Sequence, residues 1–286
     1  MEADIHQLYG SGFYRVLDFK CRCTACTTSK PEYSQAFSIS FVRKGNFLFN
    51  VFRRSLDSYT GCVLITKPGF ERTVTHAHAV PDECTIFEMK PSFYNELQEL
   101  YGNTLFFSNP DLHSTLLFAR PDLEYLHTLV MQNILNRGMH RLQTDSLVIE
   151  IIHKVLGGIT DYNPDEKISP RFKKNHLGTI ETAKAWLMEH FNDDISLQEL
   201  ADQCHVSPFH FSRIFRAFTG HSPHQFLLHI RLKNAAVYLQ NTDLPVSDIA
   251  FTSGFNSIEH FTAAFRQRYH CPPTAYRTSR QKSRIP

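Results

Sequence analysis

The sequence predicts a two-domain chain: an all-β N-terminal domain, helices that follow it, and an all-α C-terminal domain. Three observations support this fold class. Short segments rich in aromatic and β-branched residues, separated by turn residues, run to about residue 90. From Pro91 onward, apolar residues recur at helical spacing. In the last third, serine and proline residues typical of helix starts occur at repeated intervals.

The first 90 residues are predicted to form a small β-barrel or sandwich. Segments 37–42 and 47–52 are rich in aromatic and β-branched residues, and residues 44–46 lie between them as a turn. Further strands are predicted at 61–66, 73–78 and 84–89. Several short strands at this spacing are typical of a closed or two-layered antiparallel architecture.

The region after residue 90 is predicted to be helical. Apolar residues recur with helical period over 91–101, 122–136 and 144–156, and the last two helices are expected to pair as a hairpin. The stretch 160–175 contains two prolines and mixed charges without a clear period, so we expect an interdomain linker there. The predicted regions are therefore 1–90, 91–159, 160–175 and 176–286.

Two short helices joined by a brief turn are predicted after an amphipathic helix at about 177–191. Ser196 and Glu199 fit a capping box that opens a helix over 197–204. After a two-residue turn, Ser207 is the expected N-cap of the next helix, over 208–218. This arrangement is a helix-turn-helix, in which the second helix enters the DNA major groove.

The same arrangement recurs further along the chain. A longer helix over 223–240 leads to a short helix that begins near Pro245. The turn at 253–255 contains a glycine, and Ser257 is the expected cap of a second recognition helix. The connecting helix spans about 27 Å at 1.5 Å per residue. That length is compatible with two recognition helices in adjacent major-groove segments, about 34 Å apart.

A set of residues at fixed spacings runs through about 100 residues, from Ile180 to Arg277. The set comprises Arg231-Leu232, Ala235, Leu239, Ile249-Ala250, Gly254-Phe255, Phe261, Phe265, Pro273 and Tyr276-Arg277. It resembles the signature of AraC-family transcription regulators. The resemblance implies a sequence-specific DNA-binding regulator whose cupin-like barrel senses an effector and whose region 91–159 dimerises. Promoter DNA and a second copy of the chain are the expected partners, RNA polymerase is a further candidate, and activation and repression both remain open.

The resemblance also indicates which side chains meet DNA. Exposed early positions of the first recognition helix are Phe209, Ser212 and Arg213, with Arg216 one turn later. The corresponding surface of the second comprises Ser257, Ile258, Glu259, Thr262, Ala263, Arg266 and Arg268. Ala263 stands where the family often has arginine, and the acidic Glu259 repels phosphate, so we expect the first helix to carry more of the affinity. The alternative for the arginines is a solvated helix face.

Charge and cysteine usage agree with a cytoplasmic, DNA-associated protein. From Arg171 to the end the chain has 14 Lys and Arg against 9 Asp and Glu, so this part is basic. The seven cysteines are odd in number, which argues against a disulfide framework and for a reducing compartment. Neither a secretory signal nor a membrane span is visible in the sequence.

The N-terminal domain contains a group of residues suited to zinc. His76 and His78 share one face of a predicted strand, and with Cys84 and Cys23 they would form a Cys2His2 set for tetrahedral zinc. A redox- or electrophile-sensing thiol at Cys21, Cys23 or Cys26 is one alternative. Buried thiols and histidines satisfied by hydrogen bonds are the other.

A different class of function is suggested by part of the same segment. His76, His78 and Glu83 are spaced like the metal ligands of enzymatic cupins, which would make the chain a cupin metalloenzyme with an attached helical domain. However, Lys90 stands where that motif has glycine. No other catalytic set is visible in the sequence, so we expect a regulator rather than an enzyme, with an unknown small-molecule or metal effector.

Overall fold

The computed structural model describes residues 3–23, 27–76, 81–135, 141–159 and 168–282. The chain divides into two compact units. The first comprises Met1–Ala119 and Leu129–Leu177, and the second comprises Arg120–Thr128 and Gly178–Pro286. No helix in these described ranges is both long enough and apolar enough to cross a membrane.

The first unit begins with antiparallel strands. The strands are β1 (Ala3–Gly10), β2 (Tyr14–Cys21), β3 (Glu32–Tyr33), β4 (Ser38–Lys44), β5 (Asn46–Val51), β6 (Arg54–Tyr59), β7 (Cys62–Thr66), β8 (Glu71–His76), β9 (Glu83–Met89) and β10 (Ser114–Phe118). One sheet has the order β1-β2-β9-β4-β7-β10, and the other has the order β3-β8-β5-β6. Among the described strands the two sheets are separate, so the cupin-like barrel predicted from the sequence is not closed by backbone pairing.

The strands on either side of the predicted turn at 44–46 belong to different sheets. Strand β4 pairs with β7 and β9, whereas β5 pairs with β6 and β8, so residues 44–46 connect one sheet to the other. Gly45 has a φ of 91°, and a Cβ at this position would collide with the side chain of Asp82. Glycine is therefore required because the chain turns sharply between two layers.

The two sheets face each other across a cavity of about 240 Å³. Alternation along the strands brings one set of side chains from each sheet to this cavity. Leu17, Leu64 and Ile86 line it from the six-stranded sheet, and Phe49 and Val74 line it from the four-stranded sheet. The walls are predominantly apolar, which suits a compact organic molecule.

Helices follow β9 along the chain, and β10 lies between the second and third of them. The helices are α1 (Pro91–Tyr101), α2 (Leu105–Ser108), α3 (Pro121–Leu135), α4 (Arg141–Gly158) and α5 (Pro170–His190). The linker predicted at 160–175 has residues 160–167 outside the described ranges, and its remainder is helical from Pro170 onward. The helix begins there because proline is favourable in a first turn and the carbonyl of Ser169 accepts from Lys173 N.

The second unit is helical in its described residues. Besides the C-terminal part of α5 it contains α6 (Leu197–Gln203), α7 (Pro208–Thr219), α8 (Pro223–Asn241), α9 (Val246–Thr252), α10 (Ile258–Tyr269) and α11 (Pro273–Lys282). Phe211, Ile214 and Phe215 bury one face of α7, and Phe261 and Phe265 do the same for α10. Burial of these aromatic side chains is the main force that fixes both helices on α8.

A buried polar network crosses the second unit. Asn234, in the middle of α8, donates to the hydroxyl oxygen of Tyr125 at 2.6 Å and accepts from Ser253 Oγ at 2.8 Å. All three side chains are buried. Because each polar group finds a partner, the network fixes the segment before α10 against α8 without leaving an unsatisfied amide.

Candidate functional site

The helix pairs α6–α7 and α9–α10 have corresponding turns. In the first, Val206 N donates to the carbonyl of Ala201, and in the second Phe255 N donates to the carbonyl of Ala250, both at 3.1 Å. His205 and Gly254 precede the two donors and have positive φ values of 53° and 85°. The backbone therefore follows the same course between the two helices of each pair, although the side chains differ.

Serine side chains fix the start of the second helix in each pair. Ser207 Oγ accepts from His210 N at the start of α7, and Ser257 Oγ accepts from His260 N at the start of α10. The two helices end in the same way, because Gly220 and His270 both adopt the left-handed conformation. These caps satisfy backbone groups at both ends and leave each N-terminal turn with its partial positive charge.

The outward face of α7 is basic. Arg213 and Arg216 are exposed, and no acidic residue occurs anywhere in α7. Ser212 is half-buried and lines a groove together with Ser196 and Pro223, so it lies closer to its neighbouring helices than the sequence indicates. The side chain of Phe209 lies outside the described part of the structure.

The outward face of α10 is mixed in charge. Ile258, Glu259 and Ala263 are exposed, and they share one open groove with Thr262 and Arg266. Half-buried Ser257 is the cap of this helix. The guanidinium group of Arg268 lies 3.2 Å from Asp122 Oδ2. The carboxylate gives Arg268 a role in packing, whereas Arg266 projects from the groove face.

The sequence reasoning missed a contact that holds the second turn in place. Arg231 donates from Nε to the carbonyl of Phe191 and from its terminal guanidinium nitrogen to the carbonyl of Asp193, both at 2.7 Å. A Cβ on Gly254 would lie only 2.8 Å from Arg231 Nε and 2.8 Å from Asn192 Cα. The fixed arginine and glycine of the sequence signature are thus parts of one packing contact.

The Cys and His residues of the first unit form a second candidate site. Cys21, Cys23 and His76 place their ligand atoms within 4.8 Å of one another. The structure therefore brings the predicted residues Cys23 and His76 together, with Cys21 as a third member. Cys84 is buried on β9 but is not part of this group. Two further residues considered from the sequence, His78 and Cys26, lie outside the described ranges.

An aspartate that the sequence reasoning did not single out orients the histidine. Asp82 Oδ2 lies 2.7 Å from His76 Nδ1, and both side chains are buried. The Nε2 atom of the same ring faces Cys21 Sγ at 3.7 Å. Burial raises the pKa of the Cys21 thiol to about 11, so this group stays protonated at neutral pH unless a cation binds to it.

The ligand set of an enzymatic cupin is not assembled in the described residues. Cys84, Ile86 and Glu88 line the cavity from β9, so the alternation of a strand directs Glu83 to the opposite face. Its carboxylate lies 3.8 Å from the guanidinium group of Arg43. Glu83 and His76 therefore point away from each other and cannot bind one ion.

Comparisons with known proteins match the helical region. Residues 200–279 match a family model described as a helix-turn-helix domain. The uncharacterized HTH-type transcriptional regulator YbfP of Bacillus subtilis (strain 168) is 41% identical over 93 residues, which cover 32% of each chain. The HTH-type transcriptional activator RhaS of Enterobacter sp. (strain 638) is 32% identical over 110 residues, which cover 38% of this chain and 40% of the relative.

A solved structure is also similar to part of the chain. The DNA-binding domain of the global transcriptional factor AdpA, in complex with a target DNA, is 30% identical and has a TM-score of 0.36. It matches over 37% of this chain and 96% of its own. The chain spans between 32% and 40% of the length of the two curated relatives. The family model confirms a helix-turn-helix domain over residues 200–279.

Proposed function

We propose that the protein is a sequence-specific DNA-binding transcription regulator of the AraC type, and that both helix pairs are helix-turn-helix units. The observation that carries the proposal is the capped, basic face of α7 inside a segment that matches a helix-turn-helix domain. In such a unit, side chains near the start of the second helix contact base edges, and arginines also contact phosphate. The curated relatives named above are described as transcriptional regulators, which supports this function over an enzymatic one.

The two units contribute unequally in this proposal. Helix α7 presents the exposed Arg213 and Arg216 to DNA, and its own sequence contains no acidic residue. Helix α10 presents Glu259 and Ala263 near its start, and Arg268 is paired with Asp122. A guanidinium group can bind guanine through two hydrogen bonds, whereas a carboxylate accepts only from cytosine and repels phosphate. We therefore assign most of the affinity to α7 and a more selective role to α10.

Helix α8 sets the separation of the two recognition helices. It contains 19 residues and spans about 28 Å at 1.5 Å per residue. With the turns at its ends, this length is compatible with recognition helices in successive major-groove segments on one face of DNA. A dimer would present four such helices to two half-sites, which is the arrangement we propose for the promoter-bound protein, with RNA polymerase as a further partner.

The cavity in the first unit is the proposed effector site. Its apolar walls include a half-buried cation, Arg72, whose guanidinium group lies 3.2 Å from Glu32 and over the ring of Phe49. Burial lowers the pKa of Arg72, while Glu32 opposes that shift. A small molecule with an anionic or hydroxyl group could replace part of this pairing. A thermal-shift screen of the full chain with small metabolites tests the assignment, because a ligand that binds the folded state raises the melting temperature.

Selection of binding sites tests the regulatory function directly. The full chain is incubated with fragments of genomic DNA, and bound fragments are sequenced after several rounds. We expect enrichment of a site with two similar half-sites, and an affinity that falls steeply with salt because phosphate contacts release counterions. Recovery of fragments without a shared sequence, from a folded protein, would contradict sequence-specific binding.

A matched pair of variants shows which surface binds the selected DNA. Arg213→Ala removes an exposed arginine from α7, and Arg53→Ala removes an exposed arginine from the turn between β5 and β6. Both variants lose one positive charge. If the proposal holds, only the first weakens binding and changes which bases are enriched. Equal loss in both variants would indicate a general charge effect rather than contact through α7.

A further inference from the structure

We propose that Cys21, Cys23 and His76 bind a zinc ion where a strand of one sheet and a strand of the other end close together. Thiolate sulfur and imidazole nitrogen are the ligands that zinc prefers in proteins. Their three ligand atoms lie within 4.8 Å of one another. Relative to the set predicted from the sequence, Cys21 takes the place of Cys84, and His78 is not required.

The spacing of the closest pair fits a shared ion. Cys21 Sγ lies 3.7 Å from His76 Nε2. Zinc binds sulfur at about 2.3 Å and imidazole nitrogen at about 2.0–2.1 Å, so two such ligands at tetrahedral positions stand about 3.6 Å apart. The two side chains therefore have the separation that zinc requires without a change in the backbone.

The histidine is oriented in the way that metal ligands usually are. Asp82 holds Nδ1 of His76 at 2.7 Å, which directs Nε2 towards the sulfur atoms. Such a carboxylate behind a ligating histidine fixes the ring and raises its basicity. Asp82 is itself held firmly, because its carbonyl accepts from Cys21 N at 2.8 Å and its side chain packs against Gly45.

A backbone N–H group is placed to stabilise the negative charge that the Cys21 sulfur would carry as a zinc ligand. Cys23 N donates to Cys21 Sγ at 3.3 Å, and hydrogen bonds from backbone N–H groups stabilise ligating sulfur. Cys21 is buried, whereas Cys23 is half-buried. An ion can therefore reach the site from the side of Cys23 and then be enclosed.

The site joins the two layers of the first unit. Cys21 is the last residue of β2 in the six-stranded sheet, and His76 is the last residue of β8 in the four-stranded sheet. Those sheets share no strand pairing among the described residues. An ion bound to both would cross-link the layers beside the cavity, and it would stabilise the folded state by its own binding free energy.

Cobalt substitution tests the proposal in the full chain. The protein is purified under reducing conditions, stripped with a chelator, and titrated with Co²⁺ alone and then with Zn²⁺ as competitor. We expect about one Co²⁺ per chain, a thiolate-to-cobalt charge-transfer band, and displacement by zinc. Zinc should also raise the melting temperature of the stripped protein.

Variants identify the ligands. Cys23→Ser should roughly halve the charge-transfer intensity because one of two thiolates is lost, and it should weaken zinc binding. Asp82→Asn should retain the band but lower the affinity about 10- to 100-fold, as expected for a positioning residue. Cys84→Ser is the matched control, since it removes a nearby buried thiol that is outside the group. Its cobalt spectrum and affinity should equal those of the wild type.

Two results would overturn the proposal. One is the absence of saturable cobalt or zinc binding by the wild-type protein with its folded circular dichroism spectrum. The other is a loss of binding in Cys84→Ser that equals the loss in Cys23→Ser. If Cys23→Ser does not fold, the wild-type titration and the Asp82→Asn affinity still decide between the outcomes. None of these measurements uses DNA, so the metal site and the regulatory function can fail independently.

Discussion

His205 and Gly254 occupy the same place in two successive helix turns, and both adopt a positive φ, 53° for the histidine and 85° for the glycine. Each is followed by a residue whose N–H donates at 3.1 Å to an alanine carbonyl in the preceding helix, Ala201 in the first turn and Ala250 in the second. The two turns differ in burial, because His205 is exposed whereas Gly254 is buried and in close contact with Arg231 and the 191–192 backbone. This difference makes the pair informative about stability.

Substitution of Gly254 by alanine should destabilise the helical unit. The added Cβ would lie 2.8 Å from both Arg231 Nε and Asn192 Cα, and the residue would keep a positive φ. We expect a loss of about 2 kcal/mol or more in the free energy of unfolding. His205→Gly, at the corresponding position, should change stability by less than about 1 kcal/mol, in the stabilising direction if any. Chemical denaturation measures both variants, and a Gly254→Ala protein as stable as the wild type would refute the packing argument.

Removal of the buried Asn234 amide should lower the free energy of unfolding by more than the loss of its two hydrogen bonds alone would. Asn234→Ala leaves the hydroxyl groups of Tyr125 and Ser253 without their partner in a buried environment. An unsatisfied buried polar group costs about 1–3 kcal/mol, so the unfolding free energy should fall by at least that amount. Asn241→Ala, at the exposed end of the same helix, is the control and should cost less than about 0.5 kcal/mol. Similar losses in the two variants would mean that the network contributes no specific stability.

Acidification should destabilise the first unit in part through His113. The His113 ring is buried and stacks on Phe70 at 3.6 Å between ring centroids. Burial lowers its pKa below the usual 6.5, Lys67 lowers it further, and Asp111 opposes the shift. Because the unfolded chain takes up the proton first, stability is full above about pH 6.5 and is lost as the pH falls through the folded-state value.

The variant His113→Phe separates this contribution from that of the carboxylates. Phenylalanine retains the stacking and cannot titrate. The fall in melting temperature between about pH 8 and about pH 5.5 should be smaller in the variant than in the wild type. Identical slopes for the two proteins would show that His113 does not contribute to the pH dependence.

The helices of the second unit were predictable because their boundaries are set locally. Ser207 and Ser257 each accept from a backbone N–H three residues along the chain, and this bond can be read from the sequence. The closing helix α11 is not predicted, since its first turn contains the proline that also suggests a chain reversal. The strand pairings are not predicted either. Strand β4 binds β7 and β9 rather than the adjacent β5, a choice made by packing between distant segments.

The candidate sites were predictable to the extent that they depend on spacing along one element. The exposed arginines of α7 follow from the helical period around Phe211 and Phe215. The composition of the Cys and His group does not, because it depends on strand register. Cys84 pairs with Phe19 across the sheet, so it lies two positions from Cys21 rather than beside it. Asp82 is missed for the same reason, since nothing in its local sequence places it against a histidine.

The affinity of the full chain for its selected DNA, measured for the wild type and for Arg213→Ala in one buffer, tests the central claim most directly. The claim predicts a loss of about 1–3 kcal/mol for Arg213→Ala, which is about 5- to 150-fold in Kd, and almost none for Arg53→Ala or Ala263→Ser. If Arg213→Ala binds the selected site as tightly as the wild type does, α7 does not read this DNA and the account is contradicted.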